Sequence, residues 1–149
     1  IPMNVNEQVF SYAYKNGVQT VLNPAPANKP TDVLLENTSW FIPNEVEFEE
    51  IFGEVFNEDN LLLFAKDIKT NVVVTLGEKG CAYIKNDSVK ILDTDVVKAI
   101  DTTGAGDAFV GAFSFALASK LDIEDCLNLA LQKATDSVTK KGTQSSYRD

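Results

Sequence analysis

Residues 71 to 77, NVVVTLG, decide how this chain folds. Val72, Val73 and Val74 follow one another with no polar residue between them, so a strand here shows apolar side chains on both of its faces. Such a strand has to be covered from both sides, which is the habit of parallel sheets flanked by helices. Gly77 ends the run.

Working outward, the upstream chain alternates strand and helix patterns. The spacing predicts a helix over 58 to 69, and before it Asn44 opens EVEFEEIFG, a short helix with acidic residues in its first turn and Gly53 after it. SWFIPN reads as a buried strand ended by Pro43, TDVLLEN as a short helix capped by Thr31, and VQTVLN as a further strand. NPAPA, 23 to 27, breaks the pattern with two prolines. VNEQVFSYAYKNG places Val5, Val9, Tyr12 and Ala13 at helical spacing and ends in Lys15 and Gly17, an amphipathic helix. Downstream, CAYIKNDSVKILDT predicts a hairpin turning at Asn86 and Asp87, and DVVKAI, 95 to 100, one more short strand. Two long helices close the chain, from about Ala105 to Lys120 and from Ile123 to Lys141. This alternation predicts an α/β fold, a mainly parallel sheet with helices on both faces.

The 149 residues, 44% apolar and 23% charged, suit one domain with a sizeable core. A formal charge of -9 argues against nucleic acid or an anionic membrane surface as partner. The chain contains no histidine, and its two cysteines, Cys81 and Cys126, lie far apart. His/Cys zinc sites and Ser-His-Asp triads are thereby excluded, and both thiols read as buried and free. No apolar run approaches the roughly 20 residues of a membrane span, and no leader opens the chain, so a cytoplasmic location is expected. Ile1 in place of an initiator methionine, and the SSYRD ending, suggest a piece of something longer.

In open α/β sheets ligands bind beyond the carboxyl ends of the strands, which directs attention to Asn23 to Ala27, Asn44 to Glu47, Thr75 to Gly80 and Asp101 to Asp107. In GAGD, 104 to 107, small side chains let the backbone come close to a ligand just where a helix start presents unpaired N–H groups. Phosphate is the natural occupant. With histidine absent, a carboxylate is the base beside such a site, and Asp107 is the group in place to deprotonate a hydroxyl that attacks a phosphoryl group. The competing reading, a carboxylate that only satisfies helix N–H groups, is weakened by Asp101 and two threonines around the same turn.

DTTGAGDAFVGAF, 101 to 113, closely resembles the C-terminal signature of the ribokinase-type (PfkB) carbohydrate kinase family. LNPAPA and PNEVE are similar to the family's NPAPA and N-x-x-E segments, TLGEKG to its nucleotide loop, and KKGTQSSY to the end of its ribose-specific members. The resemblance spans essentially all 149 residues but matches only the C-terminal half of a family member. It implies a ribokinase-like fold, with residues 1 to 149 as the C-terminal nucleotide-binding part and the N-terminal sugar-binding part and lid absent. A chain of that extent is expected to hold nucleotide and, alone, to be inactive.

The resemblance implies transfer of the γ-phosphoryl of ATP to the 5-hydroxyl of D-ribose, giving D-ribose 5-phosphate, with Asp107 as base and the N–H groups of Gly104, Ala105 and Gly106 as anion hole. Asn44 and Glu47 would face the phosphates and magnesium, Glu47 indirectly, while Thr75, Gly77 and Gly80 would lie along the nucleotide. Without the resemblance, Asn44 and Glu47 read as a cap and a solvated acid. Potassium would be held by Asp101, Thr103, Ser137, Lys140, Gly142 and Ser146. Where family members often carry an asparagine lining the adenine pocket, this chain has Leu131, so adenine contacts would be looser or come from Gln132 or Asn128. Lys133, Thr135 and Asp136 are more polar than the small residues usual in that helix and imply a more open pocket. The alternatives are a fructokinase or nucleoside kinase of the same family, or a nucleotide-binding module without turnover. A homodimer would form through the absent lid.

Overall fold

The structure, a computed structural model, describes residues 1–95, 97, 100 and 102–139. Contacts gather them into two compact units, one formed by Ile1–Thr75 with Ala82–Lys90, the other by Leu76–Cys81 with the described residues from Ile91 onward.

The first unit holds α1 (Met3–Lys15), β1 (Val21–Leu22), α2 (Asp32–Glu36), β2 (Trp40–Phe41), α3 (Glu45–Phe52), α4 (Glu58–Ile68) and β3 (Asn71–Thr75). The sheet runs β1-β2-β3-β4-β5, with β4 at Cys81–Lys85 and β5 at Ser88–Leu92. β1, β2 and β3 are parallel, Val21 standing opposite Trp40 and Trp40 opposite Asn71. β4 and β5 are joined only by Asn86 and Asp87, whose φ values of 52° and 56° make the left-handed two-residue turn that asparagine and aspartate tolerate. So tight a turn folds the two strands back antiparallel, and the sheet is mixed.

The strands β1 and β2 are shorter than the sequence predicts. On one side Thr20 and Ser39 exchange side-chain bonds with each other's backbone, Thr20 N–H to Ser39 Oγ at 3.1 Å and Ser39 N–H to Thr20 Oγ1 at 2.9 Å. These hydroxyl bonds stand beside backbone bonds from the Ser39 and Trp40 N–H groups to the Thr20 carbonyl, at 3.1 Å and 3.0 Å, so the regular ladder gives way here to a mixed pattern. On the other side Pro24 and Pro43 stop the strands.

The core of this unit is aromatic. Phe48 on α3 meets Phe64 on α4 at 5.3 Å between ring centroids, Phe52 at 5.5 Å and Phe56 at 5.7 Å. Phe41 of β2 joins Phe64 at 5.8 Å, and Val72, Val73 and Val74 are buried beneath. Burial on that scale, at about 25 cal/mol per Å² of apolar surface, is what orders a sheet of such short strands. α1 forms as expected, yet its apolar stripe stays open: Val5, Val9 and Tyr12 are exposed.

In the second unit α5 (Ala105–Ala118) packs along α6 (Ile123–Val138). Phe109 and Phe113 stack in parallel at 6.4 Å and are buried, as are Ala116, Cys126, Leu127 and Ala130. Of the strand expected over 95 to 100, Val96, Lys98 and Ala99 lie outside the described residues, and Asp95, Val97 and Ile100 are not in a strand. The last residues of the closing helix, Lys140 and Lys141, also lie outside the described residues.

Candidate functional site

In the first unit, three of the predicted site segments meet at the carboxyl edge of the parallel strands. Asn23, just past β1, donates from Nδ2 to the Ile42 carbonyl at 2.7 Å. Beyond β2, Asn44 pairs with Thr75 at the end of β3, and the Thr75 N–H donates to the Pro43 carbonyl at 3.0 Å. Asn23, Asn44 and Thr75 thus follow one another across adjacent strand ends, where an α/β sheet presents ligands.

Asn44 is the N-cap of α3. Its Oδ1 accepts the Glu47 N–H at 2.8 Å, and Glu47 Oε2 accepts the Asn44 N–H at 2.9 Å, a reciprocal capping box. Glu47 is buried for a carboxylate, at 8% exposure. The box uses one oxygen of each side chain, which fixes the direction of the Asn44 amide NH2 and of the second Glu47 oxygen. Both residues are therefore caps, and both keep a polar atom beyond the cap.

In the second unit the loop after β3 closes on itself. Leu76 N–H donates to the Gly80 carbonyl at 2.8 Å, and Gly80 N–H to the Gly77 carbonyl at 3.1 Å, around a 3₁₀ turn at Gly77–Lys79. Gly80 has φ 93° and ψ −128°, and a Cβ there would overlap the Leu92 carbonyl. Gly77 has φ 59° and nothing within 4 Å of such a Cβ. The two glycines of this loop do different things: one packs against β5, the other leaves open space.

The GAGD turn begins α5 as the sequence predicts. Gly104 is the N-cap with φ 86°, a left-handed conformation in which a side chain is strained. The Ala105 N–H reaches the Thr102 carbonyl at 3.3 Å, and the first intrahelical bond is Ala108 N–H to Gly104 O at 2.9 Å. Gly106 and Asp107 stand before that bond, so helix geometry leaves their N–H groups without intrahelical acceptors. A Cβ at Gly106 would meet nothing within 4 Å. The Asp107 carboxylate is exposed and, among the described residues, is engaged by no hydrogen bond or ion pair. Asp107 therefore adds its own N–H to the donors named from sequence while keeping its side chain unspent.

On α6, Leu131 is buried whereas Asn128 and Gln132 are exposed. Lys133 and Asp136 form an exposed pair at 3.9 Å. Ser137 is buried, with its hydroxyl on the Ala134 carbonyl at 2.7 Å. Thr103 lies in the turn before Gly104. Asp101, Lys140, Gly142 and Ser146 lie outside the described residues. Among the described residues no three acidic or thiol side chains gather as a metal site, and no helix is long and apolar enough to cross a membrane. Sequence reasoning passed over Thr94, which meets Thr135 of α6 at 2.7 Å; a lone threonine after a strand carries no motif that would have found it.

The first unit has polar residues at its parallel strand ends, and the second a helix opened by a glycine turn with an exposed aspartate; together they define an α/β fold with strand ends and a helix start of the kind that suits polar or anionic ligands. The chain belongs to the pfkB family of carbohydrate kinases, whose model matches residues 1–149. It is 37% identical over 144 residues to a deoxyribokinase from Salmonella typhi, covering 93% of this chain and 47% of that protein. It is 40% identical over 151 residues to a ribokinase from Haemophilus influenzae, covering 97% and 49%. The structure superimposes on Arabidopsis thaliana ribokinase complexed with ribose and ATP with a TM-score of 0.86 at 28% identity, covering 100% of this chain and 50% of that one. On Thermotoga maritima ribokinase the TM-score is 0.80 at 32% identity, covering 91% and 48%. The fold is ribokinase-like, and the chain spans about half the length of the curated relatives it matches.

Proposed function

We propose that this chain supplies the nucleotide-binding and phosphoryl-transfer part of an ATP-dependent sugar kinase that acts on the 5-hydroxyl of D-ribose. The observation that carries the reading is the first turn of α5, where the unspent carboxylate of Asp107 stands with the N–H groups of Gly106 and Asp107, which have no helical acceptor. Asp107 takes the proton of the hydroxyl, whose oxygen attacks the γ-phosphorus while ADP leaves. The N–H groups from Gly104 to Gly106, with that of Asp107, hold the charge that gathers on the phosphoryl oxygens. Asn44, Thr75 and Gly77 line the nucleotide, with Gly80 shaping its loop.

Magnesium fits the buried Glu47, whose capped carboxylate keeps one oxygen beyond the cap and would help hold the ion indirectly. Bound there, it would neutralise phosphate charge. Potassium suits a set made of one carboxylate, Asp101, with Thr103, Ser137, Lys140, Gly142 and Ser146 supplying neutral oxygens. The 37% identity to a deoxyribokinase favours a second reading, 2-deoxyribose as acceptor.

The test uses a protein that carries this chain at the full length of its relatives, assayed for ATP-dependent phosphorylation of ribose, 2-deoxyribose, fructose and adenosine. Ribose is expected to give the highest kcat/KM. A higher value for 2-deoxyribose or another acceptor refutes the choice of ribose, and nucleotide binding without turnover of any acceptor refutes the kinase. Asp107→Asn keeps the turn and removes the base, so kcat is expected to fall at least ~10²-fold with ATP binding little changed.

A further inference from the structure

The connection that leaves β5 and leads to the first turn of α5 is tied to α6 at two points. Thr94 Oγ1 and Thr135 Oγ1 lie 2.7 Å apart, and the Ile100 N–H donates to the Val138 carbonyl at 2.7 Å. Thr135 and Val138 stand three residues apart and so share one face of the helix. Shortly after Ile100 comes Thr102, whose carbonyl takes the Ala105 N–H as α5 begins.

Thr135 does not use its hydroxyl as helical serines and threonines commonly do, by bonding back to a carbonyl one turn earlier. Its neighbours on α6 follow that habit: Ser137 bonds to the Ala134 carbonyl at 2.7 Å and Thr139 to the Asp136 carbonyl at 2.8 Å. Thr135 instead reaches a residue 41 positions away, in a half-buried setting. Threonine is also a poorer helix former than alanine, so helix propensity does not account for it. A half-buried hydroxyl pair at this distance is a directional contact, and it holds the connection at a fixed place along α6.

Resting on the phosphoryl-transfer reading above, we propose that Thr135 is a positioning residue, whose hydrogen bond to Thr94 holds the connection that sets where the phosphate-facing turn from Thr102 to Asp107 begins. It touches neither substrate nor nucleotide in this role. It acts through the turn, so its loss should loosen the turn and slow the chemical step while leaving ground-state binding nearly intact.

The test is again made on the full-length kinase. Thr135→Val keeps the shape and removes the hydroxyl. Amide exchange at Ile100 and Ala105, whose N–H groups are bonded to the Val138 and Thr102 carbonyls, is expected to quicken at least about threefold. kcat should fall on the order of tenfold, with KM for ATP and sugar changed by less than about twofold. Thr135→Ser should restore both. Thr94→Val should repeat the effect, and the double variant should be no worse than either single one, since one bond is lost in each. Unchanged exchange at Ile100 and Ala105, faster exchange along the whole of α6, additive losses in the double variant, or an unchanged kcat would each overturn the proposal. The exchange arms need no turnover: a wild-type protein that phosphorylates no sugar defeats the functional reading, and exchange still decides the tie.

Discussion

Gly80 and Gly77 sit in one short loop, and the structure separates them sharply. Replacing Gly80 by alanine puts a Cβ 2.9 Å from the Leu92 carbonyl carbon and 3.0 Å from Asp93 Cα, and closer still to the Leu92 oxygen. These are backbone atoms that cannot rotate aside. Its φ of 93° and ψ of −128° add a conformational cost of about 1 to 3 kcal/mol for any residue with a Cβ. Relief requires the loop to move away from β5, which strains the Leu76 N–H bond to the Gly80 carbonyl, a contact contributing about 1 kcal/mol. The expected destabilisation is about 2 to 4 kcal/mol, a large share of a typical domain's margin. Gly77→Ala meets no neighbour within 4 Å and carries only the left-handed cost, about 1 kcal/mol. Urea unfolding followed by circular dichroism measures both. A Gly80→Ala variant no less stable than Gly77→Ala would refute the packing assigned to this loop.

Gly106→Ala lies in a helix with open space at its Cβ, so it should raise stability by up to about 1 kcal/mol while weakening ATP binding, as melting and calorimetry would show. Unchanged ATP affinity would count against the anion site. The full-length kinase should be activated by potassium far more than by sodium at equal ionic strength, and Asp101→Ala should abolish the difference; equal rates in both salts would remove the cation site and leave the kinase standing. Burial pushes the Cys81 thiol up from its ordinary 9.0 to about 12. The protonated thiol is the form the fold prefers, so its contribution is complete below pH 9.0 and is lost as pH rises toward about 12. Cys81→Ala should flatten the decline in stability over that window, and parallel pH profiles for the two proteins would contradict this.

The elements with strong local chemistry were legible in the sequence. Asn44 and Thr31 stand where caps were expected, α5 begins at Ala105 after the glycine turn, and the Asn86-Asp87 turn is made by residues that tolerate positive φ. What escaped was set by partners distant in sequence. Where β1 and β2 begin, hydroxyl bonds between Thr20 and Ser39 join the backbone bonds, a pattern that no periodicity encodes. The stripe of α1 predicts a helix correctly, but periodicity does not say what, if anything, covers Val5, Val9 and Tyr12. At the site, the glycine turn and the N-x-x-E pair announced themselves, and the structure places the latter in a mutual capping box. The role of Gly80 depended on Leu92, which only the folded hairpin brings near.

Trp40, the chain's only tryptophan, stands in β2 in the middle of the parallel strands. Its emission therefore reports the first compact unit, and the helices α5 and α6 contribute no indole signal. Red-shifted fluorescence during denaturation would follow the loss of the aromatic core around Phe48, whereas far-ultraviolet ellipticity, dominated by helices, would also register the second unit. Coincident transitions by the two probes would mean that both units melt as a single cooperative body, and separated ones that the glycine turn opening α5 can unfold while the parallel strands stay intact.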